Sequence, residues 1–331
     1  MAHLLEVRDL RVSFRTYAGE FQSVRGASFF VDEGETVALV GESGCGKSVT
    51  ARSVMGLIAP PGEIKSGSRI LFAGQDILTQ SPREWERYRG EDCAIVFQDA
   101  LAALNPTLSV GAQIAEKIAA HRSASRSVAR KEALRLLELV GIPAAARRLG
   151  AFPHELSGGQ RQRVMIAIAL ACGPRLLLTD EPTTALDVTV QAEIIDLLRS
   201  LQKSRGASTV MITHDLGLVA GMAQRIAVMY AGRIVETGAR RQVFYAPAHP
   251  YTRALLDAVP RLDAARSRRL AAIDGEPPDT LTPLPGCAFA PRCKYCMSVC
   301  LRRPPPLFEI ETDHMAECWR LHDLAPREEM R

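Results

Sequence analysis

A glycine-rich stretch near the start of the chain has the composition and spacing of a phosphate-binding loop. Residues 41–48 fill every fixed position of the pattern G-x-x-x-x-G-K-[ST]. Its glycines allow backbone N–H groups to turn towards phosphate oxygens, and the dipole of the following helix adds positive potential. Lys47 would reach the β- and γ-phosphates, and the Ser48 hydroxyl would bind Mg²⁺. The residues expected to contact the nucleotide are Gly41, Glu42, Ser43, Gly44, Cys45, Gly46, Lys47, Ser48 and Val49.

Two adjacent acidic residues follow an apolar run later in the chain. Residues 176–179 read Leu-Leu-Leu-Thr and lead directly into Asp180 and Glu181. A carboxylate at the C-terminal end of a buried strand can hold the Mg²⁺ beside a phosphate-binding loop. The second carboxylate can then polarise the attacking water. A phosphate-binding loop combined with this acid pair predicts hydrolysis of a nucleoside triphosphate.

A second candidate anion site lies between these two motifs. Residues 156–160 read Leu-Ser-Gly-Gly-Gln and precede a stretch with helical composition. Ser157 is a suitable N-cap, and the free N–H groups of that helix end would attract an anion. One nucleotide does not need two such sites in one chain. Two subunits arranged head to tail would use both, with each nucleotide between one phosphate-binding loop and the partner's Ser-Gly-Gly turn.

The segments around these motifs alternate between strand and helix patterns, which predicts an α/β core with a mainly parallel sheet. From about residue 100 to 155 the sequence becomes helical in spacing, which indicates an insertion. The expected strands are 4–14, 28–31, 36–40, 176–180, 209–213, 226–229 and 233–236, and the expected helices are 49–56, 130–140, 159–171 and 190–201.

Over residues 4–260, the order and spacing of these motifs resemble the ATP-binding cassette (ABC) ATPases. Residues 96–99 (Val-Phe-Gln-Asp) resemble the Q-loop of that family, residues 184–187 (Thr-Ala-Leu-Asp) its D-loop, and residues 213–215 (Thr-His-Asp) its switch histidine segment. The resemblance implies ATP and Mg²⁺ as ligands. It also implies an ABC-type nucleotide-binding domain over residues 1–260, with a RecA-like core, antiparallel strands and a helical subdomain at about residues 100–172.

The same resemblance implies roles for individual residues. Glu181 would be the general base, His214 would contact the γ-phosphate, and Gln98 would link Mg²⁺ and water to the transporter. Phe14 occupies the position of the aromatic residue that stacks on adenine, although Tyr17 and Phe21 are nearby rivals. The Mg²⁺ ligands would be Ser48, Gln98 and Asp180. The partner-facing nucleotide contacts would be Ser157, Gly158, Gly159, Gln160 and Asp187.

Five of the eight cysteines are crowded into a proline-rich segment close to the end of the sequence. We expect a domain boundary after Pro260 and a C-terminal extension over residues 261–331. A segment with so little apolar periodicity needs a cross-link to hold its fold. In a reducing cytosol, disulfides are not expected, so these cysteines predict a metal or redox centre.

Residues 249–256 and 284–293 narrow the resemblance to the ATPase subunits of dipeptide and oligopeptide importers, and among them to the D-type. The recurrent cysteine pattern of these subunits resembles Cys287, Cys293, Cys300 and Cys318, which implies a [4Fe–4S] cluster. Cys296 departs from that pattern and forms a C-x-x-C with Cys293, so a Zn²⁺ site remains an alternative. His314 and His322 could join such a site. A third alternative is that no metal is bound.

The sequence therefore predicts the ATP-hydrolysing subunit of an ABC importer of di- or oligopeptides. The resemblance implies two transmembrane permease subunits, a second ATPase of the F-type and an extracytoplasmic solute-binding protein as partners. It places the protein peripherally on the cytoplasmic face of the inner membrane. The net charge of +4 is too small to indicate a nucleic-acid partner. The alternatives are an importer of another small solute, and a soluble ABC ATPase that acts on nucleic acid or ribosomes.

Overall fold

The computed structural model describes residues 3–184, 186–259 and 273–325. The strands in these ranges are β1 (Leu5–Thr16), β2 (Gly19–Val31), β3 (Thr36–Val40), β4 (Gly62–Ile64), β5 (Arg69–Phe72), β6 (Gln75–Asp76), β7 (Cys93–Val96), β8 (Leu176–Asp180), β9 (Ser208–Thr213), β10 (Arg225–Tyr230), β11 (Arg233–Ala239), β12 (Phe308–Glu311) and β13 (His314–Ala316).

Helices occupy much of the remaining described sequence. They are α1 (Lys47–Val54), α2 (Pro82–Arg87), α3 (Ala100–Ala103), α4 (Val110–Arg122), α5 (Arg126–Leu139), α6 (Ala145–Arg148), α7 (Gly158–Leu170), α8 (Val188–Arg205), α9 (Leu216–Met222), α10 (Arg240–Tyr245), α11 (Pro250–Asp257) and α12 (Ser298–Arg302). Short 3-10 turns lie at Ile77–Thr79, Pro153–Glu155, Ala290–Arg292 and Trp319–Leu321, and a π-helical turn lies at Tyr88–Asp92. None of the described helices combines the length and apolar character that crossing a membrane requires.

The chain divides into two compact units. The first contains the described residues of Met1–Phe30, Thr36–Asp76 and Thr213–Arg331, and the second contains those of Val31–Glu35 and Ile77–Ile212. The expected boundary after Pro260 lies outside the described residues. The division into a nucleotide-binding domain and a C-terminal extension therefore stays a prediction.

The first unit contains two sets of paired strands. One has the order β2-β1-β5-β6, with β4 also antiparallel to β1. In the other, β3 and β10 are parallel, and β10, β11, β13 and β12 continue as antiparallel neighbours. All five residues of β3 are buried, as expected of a strand that is covered on both faces. The phosphate-binding loop begins at the C-terminal end of this strand, where parallel sheets typically bind ligands.

The second unit combines parallel strands with a group of helices. β7 pairs with β8, and β8 pairs with β9, in parallel registers. Helix α5 buries Ala129, Ala133, Leu136 and Leu137, which are spaced to lie on one helical face. That face explains why α5 packs against α4 and α7. Helices α3–α7 lie in the part of the chain predicted to be helical, and the buried strand β8 follows them.

The structure matches a mixed α/β fold. The predicted elements differ from it at their ends, and the prediction omits other elements, among them the strands β4–β7, β12 and β13 and the helices α2 and α9–α12. Strands β3 and β8 have the predicted bounds, whereas β2 begins at Gly19 rather than at residue 28. Residues 19–27 lack a clear apolar alternation, and it is pairing with β1 that extends them into the strand. Helix α1 begins at Lys47, two residues earlier than predicted.

Candidate functional site

The phosphate-binding loop has a backbone that requires glycine at two of its positions. Gly41 lies so close to the carbonyl oxygen of Met229 that a Cβ atom there would collide with it. Gly46 has φ +108°, and its Cβ would lie 2.6 Å from the carbonyl oxygen of Ser23. An L-residue would be strained at such a φ, and the close contacts leave no room for a side chain. The spacing of glycines read from the sequence therefore reflects a tightly enclosed turn.

Lys47 begins helix α1, and its side chain folds back over the loop. Lys47 is 4% exposed, and its Nζ donates hydrogen bonds to the carbonyl oxygens of Gly41 and Glu42 at 2.8 and 2.9 Å. A buried ammonium group must be paired with acceptors, because an unpaired charge costs several kcal/mol. These carbonyls hold the ammonium on the inner side of the loop, and Ser48 follows it in the first turn of the helix.

The switch histidine segment and the aromatic candidates also lie in the first unit. His214 is exposed between β9 and α9, and the next residue, Asp215, caps α9 by accepting a hydrogen bond from the N–H of Gly217 at 2.8 Å. Phe14 is half-buried, and its ring covers Gly62, where a Cβ would lie 2.6 Å from Cε1 of the ring. The rival Tyr17 is fully exposed in the turn between β1 and β2.

In the second unit, the Q-loop glutamine and the proposed base are hydrogen bonded. Nε2 of Gln98 donates to Oε2 of Glu181 at 3.3 Å, and the hydroxyl of Thr184 donates to the same oxygen at 3.0 Å. Asp180 is the last residue of β8 and is 2% exposed. Glu181 has φ +47°, so the chain turns sharply as the strand ends. The sequence neighbours Asp180 and Glu181 thus occupy different environments, one buried and one half-exposed.

The Ser-Gly-Gly turn is an N-cap, as its sequence predicts. Ser157 Oγ accepts a hydrogen bond from the N–H of Gln160, and Oε1 of Gln160 accepts one from the N–H of Ser157. A Cβ on Gly159 would lie 2.5 Å from Cγ1 of Val190 in α8. Asp187, in the D-loop motif, caps α8 by accepting from the N–H of Val190 at 3.0 Å. The Ser-Gly-Gly turn and the start of α8 therefore pack against each other. Ala185, which also belongs to the D-loop motif, lies outside the described residues.

The four cysteines singled out in the C-terminal segment line one pocket. These cysteines are Cys287, Cys293, Cys300 and Cys318. His249, Phe289 and Trp319 are among the other residues that line the pocket. Cys296 does not line this pocket and is exposed, and all eight cysteines of the chain are free thiols. Sequence reasoning identified the four thiols, but it did not identify the side chains that enclose them.

Burial favours the protonated form of three of these thiols. Burial raises the pKa of Cys287 to about 11 and that of Cys318 to about 12, and it raises the pKa of Cys293 as well. In the ranges that the structure describes, no three Cys, His, Asp or Glu side chains are arranged so that together they could hold a metal ion. The thiols thus share a pocket without forming a ready metal site, and a metal would have to displace their protons.

Two residues near the phosphate-binding loop had no signal in the sequence. Arg292 forms a bidentate ion pair with Glu42, at 2.7 and 2.9 Å, and its side chain is only 3% exposed. The hydroxyl of Tyr251 accepts a hydrogen bond from the N–H of Glu42 at 2.8 Å. Both residues belong to the segments that resemble the ATPase subunits of peptide importers. The local spacing of residues cannot reveal a contact with a residue more than 200 positions earlier.

The expected site residues are therefore grouped by unit. The first unit contains the phosphate-binding loop, Phe14, His214 and the cysteine pocket. The second contains Gln98, Asp180, Glu181, the Ser157–Gln160 turn and Asp187. Three features define an ATPase of the ABC class. They are a phosphate-binding loop after one parallel strand, an acid pair at the end of another, and a capped helix that begins with Ser-Gly-Gly.

Comparison with known proteins agrees with this class. A family model described as "ABC transporter" matches residues 24–184, and one described as "Oligopeptide/dipeptide transporter, C-terminal region" matches residues 235–300. A model of an AAA domain (putative AbiEii toxin, Type IV TA system) matches residues 151–220. The chain is 51% identical to the oligopeptide transport ATP-binding protein OppD of Bacillus subtilis, over 99% of this chain and 92% of that protein. It is 50% identical to the dipeptide transport ATP-binding protein DppD of the same organism, over 96% and 95%.

Solved structures show the same fold. The ATP-binding cassette MJ0796, in a dimeric post-hydrolysis state with ADP and Pi, is 27% identical with a TM-score of 0.64 and covers 72% of this chain and 99% of its own. CbiO1 from Clostridium perfringens, part of the cbiONQ transporter complex, is 30% identical with a TM-score of 0.62, over 74% and 92%. The chain thus belongs to the ABC transporter ATP-binding proteins of the OppD/DppD type.

Proposed function

We propose that this ABC transporter ATPase powers the import of oligopeptides or dipeptides. The observation that carries the proposal is the match of residues 235–300 to the C-terminal region of oligopeptide and dipeptide transporters. Relatives named for oligopeptide and dipeptide transport cover nearly the whole chain, including that of Salmonella typhimurium at 47% identity. The motor is ATP hydrolysis, and the transported solute is a peptide.

The residues of the first unit hold the nucleotide. The N–H groups of the loop and the ammonium of Lys47 bind the phosphates, with Lys47 exchanging its carbonyl acceptors for phosphate oxygens. Ser48 binds the Mg²⁺, which neutralises the charge that develops on the phosphate oxygens. Phe14 stacks on the adenine, and His214 donates to the γ-phosphate. The buried position of Lys47 beside two carbonyl groups supports this role, because a ligand of opposite charge would satisfy it better.

The residues of the second unit carry out the proton transfer. Asp180 and Gln98 would serve as Mg²⁺ ligands, and the Glu181 carboxylate would accept a proton from the attacking water. The hydrogen bonds from Gln98 and Thr184 to one oxygen of Glu181 support this assignment. These two contacts orient the carboxylate before the water arrives.

A second ATPase subunit completes each site. In a head-to-tail pair, Ser157, Gly158, Gly159 and Gln160 of one subunit contact the nucleotide held by the other, and Asp187 lies at the same face. The exposure of Ser157 and of Asp187 supports a contact of this kind. The partner is an F-type ATPase subunit, as the D-type character of this chain implies.

The remaining partners are two permease subunits and an extracytoplasmic solute-binding protein. The segment after Gln98, residues 99–110, is the proposed permease contact. It contains helix α3, whose Leu101 is 53% exposed, and it continues to Leu108, which is 36% exposed. Apolar side chains at the surface are typical of a protein contact. The protein is then held at the cytoplasmic face of the inner membrane through its permeases.

The cysteine pocket is the proposed site of a [4Fe–4S] cluster, with Zn²⁺ as the alternative. The donor set supports it, because four thiols line one pocket and four thiolates can ligate such a cluster. Cys287, Cys293, Cys300 and Cys318 would hold the cluster, while Cys296 is outside the pocket. The group would cross-link the C-terminal segment, and no step of hydrolysis passes through it.

Growth on peptides tests the transport function. A strain auxotrophic for one amino acid and deleted for this chain should fail to grow when that amino acid is supplied only as an oligopeptide or dipeptide. It should grow normally on the free amino acid, which controls for general fitness. The wild-type chain should restore growth on the peptide, and a Lys47→Ala chain should not. Normal peptide use by the deletion strain and by its Lys47→Ala complement would contradict the proposal, as would ATPase activity that needs nucleic acid instead of permeases.

A further inference from the structure

Glu42, the second residue of the phosphate-binding loop, is held by two residues from the far end of the chain. Arg292 donates from Nη1 to Oε2 and from Nη2 to Oε1 of Glu42, and the N–H of Glu42 donates to the hydroxyl of Tyr251. All three residues belong to the first unit. The ion pair has bidentate geometry, which is the strongest form of an Arg–carboxylate interaction.

Contacts other than the ion pair with Glu42 also fix the side chain of Arg292. Its Nε donates to the carbonyl oxygen of Asp274 at 2.9 Å, and its Nη2 donates to that of Ile273 at 3.1 Å. The hydroxyl of Tyr230 lies 3.3 Å from Nη1 and also accepts. Together with the two bonds to Glu42, these contacts provide an acceptor for each of the five N–H groups of the guanidinium. The position of the Glu42 carboxylate is therefore set by the C-terminal segment rather than by the loop alone.

Glu42 is also one of the two residues whose carbonyl groups bind the ammonium of Lys47. The ammonium of Lys47 donates to the carbonyl oxygens of Gly41 and Glu42, the latter at 2.9 Å. Arg292 holds the side chain of Glu42, Tyr251 holds its N–H, and Lys47 is bound to its C=O. A shift of this one residue therefore moves the site from which the lysine reaches the phosphates.

We propose that Arg292 is a positioning residue for nucleotide binding, which acts through Glu42 on Lys47. The proposal rests on the proposed role of Lys47 as a phosphate ligand. Arg292 immediately precedes Cys293, one of the four pocket thiols, so the C-terminal segment that carries the pocket also determines the geometry of the phosphate-binding loop. Because linkage is reciprocal, nucleotide binding stabilises this segment in return.

The test measures the dissociation constant of MgADP for the full-length chain by titration calorimetry. Arg292→Ala should weaken MgADP binding about tenfold, a typical size for coupling between two sites. Arg292→Lys, which retains the charge but not the bidentate geometry, should recover part of the loss. The matched control is Glu317→Ala. Glu317 forms a bidentate pair with Arg233, at 2.7 and 2.8 Å, that ties the C-terminal segment to strand β11.

The control separates positioning from general stability. Glu317→Ala should lower the unfolding temperature and leave the MgADP dissociation constant unchanged. The effects of Glu42→Gln and Arg292→Ala should not add in the double variant, because both remove the same contact. Unchanged binding in Arg292→Ala, an equal loss in Glu317→Ala or additive effects would overturn the proposal.

Two further variants keep the result interpretable. If Arg292→Ala does not fold, Glu42→Gln weakens the same ion pair from the loop side, and wild-type affinity in that variant would overturn the proposal. Lys47→Ala serves as the reference for phosphate binding. Wild-type affinity in Lys47→Ala would contradict the proposed function, whereas a loss there with no loss in the Arg292 variants contradicts only the positioning role.

Discussion

The amide of Gln98 and the carboxylate of Glu181 are hydrogen bonded at 3.3 Å, although 83 positions separate them in the sequence. Thr184 donates to the same carboxylate oxygen at 3.0 Å. Two donors on one oxygen define the orientation of the carboxylate. Gln98, which immediately precedes the proposed permease contact, is therefore hydrogen bonded to the residue proposed to activate water.

Glu181→Gln should separate ATP binding from ATP hydrolysis. The amide is nearly isosteric with the carboxylate, so ATP binding should be retained, but it cannot accept the proton of the attacking water. Steady-state phosphate release should fall about a hundredfold or more. The matched control is Glu138→Gln, at an exposed position of α5, which should hydrolyse ATP at the wild-type rate. Unchanged turnover in Glu181→Gln would exclude it as the base.

Ser157 has two roles that different substitutions can separate. Ser157→Ala removes the cap of α7 and should lower the free energy of unfolding by about 1 kcal/mol. Ser157→Asp keeps an N-cap and should retain most of that stability, but it places a negative charge where the partner's nucleotide is proposed to lie. ATP hydrolysis by the two-subunit complex should therefore be lost in Ser157→Asp, while the unfolding free energy stays close to wild type. Full activity in Ser157→Asp would contradict the head-to-tail arrangement.

The four pocket cysteines should behave differently from Cys296. Replacing Cys287, Cys293, Cys300 or Cys318 with serine should remove bound iron, because each would supply one ligand of the cluster. Cys296→Ser should retain it, since that thiol lies outside the pocket. The measurement is iron and zinc content, with visible absorption, on anaerobically purified protein. Zinc without iron in the wild-type protein would mean that the pocket is a zinc site and not a cluster site. Loss of iron in Cys296→Ser would contradict the proposed set of four ligands.

His249 should make folding stability depend on pH. It is 1% exposed, its Nδ1 accepts a hydrogen bond from the N–H of Tyr251, and its own N–H donates to Glu236. Burial lowers the pKa of His249 from 6.5 to about 4. Between pH 6.5 and about 4, the imidazole of His249 is therefore protonated in the unfolded chain but neutral in the folded chain. This contribution to stability is complete above pH 6.5 and is lost as the pH falls towards 4.

The change between pH 7 and pH 5 amounts to about 2 kcal/mol of unfolding free energy for this histidine. His249→Asn preserves an N-cap for α11 but does not titrate. Urea unfolding of both proteins at the two pH values should show a smaller pH dependence in the variant by about that amount. Equal pH dependence would mean that His249 is protonated as readily in the folded chain as in the unfolded one.

Local signals explain which features could be predicted from the sequence. The continuous apolar runs at residues 36–40 and 176–180 predicted β3 and β8 with their observed bounds, because buried parallel strands have this composition. The N-cap at Ser157 was equally predictable, since serine followed by glutamine three positions later satisfies both free N–H groups. The catalytic roles assigned to Glu181, His214 and Gln98 remain predictions.

Contacts between distant segments were not predictable in this way. The Arg292–Glu42 pair joins residues 250 positions apart, and neither residue has a neighbour in sequence that indicates the other. The pocket is similar, because the cysteines could be recognised as a group but His249 and Trp319 enclose it only after the chain has folded. Side-chain pairs of this kind depend on which elements pack together, and a single sequence does not contain that information.

The pairing of β13 with β11 has a consequence for biosynthesis. β11 pairs with β10 on one side and with β13 on the other, and the buried pair Glu236–His314, at 2.8 Å, joins them across 78 positions. Until the ribosome has released β13, the outer backbone groups of β11 are open to strand addition by another nascent chain. Among the described residues the sheet ends instead at β12, which carries Glu309 and Glu311, and charged side chains discourage further strand pairing.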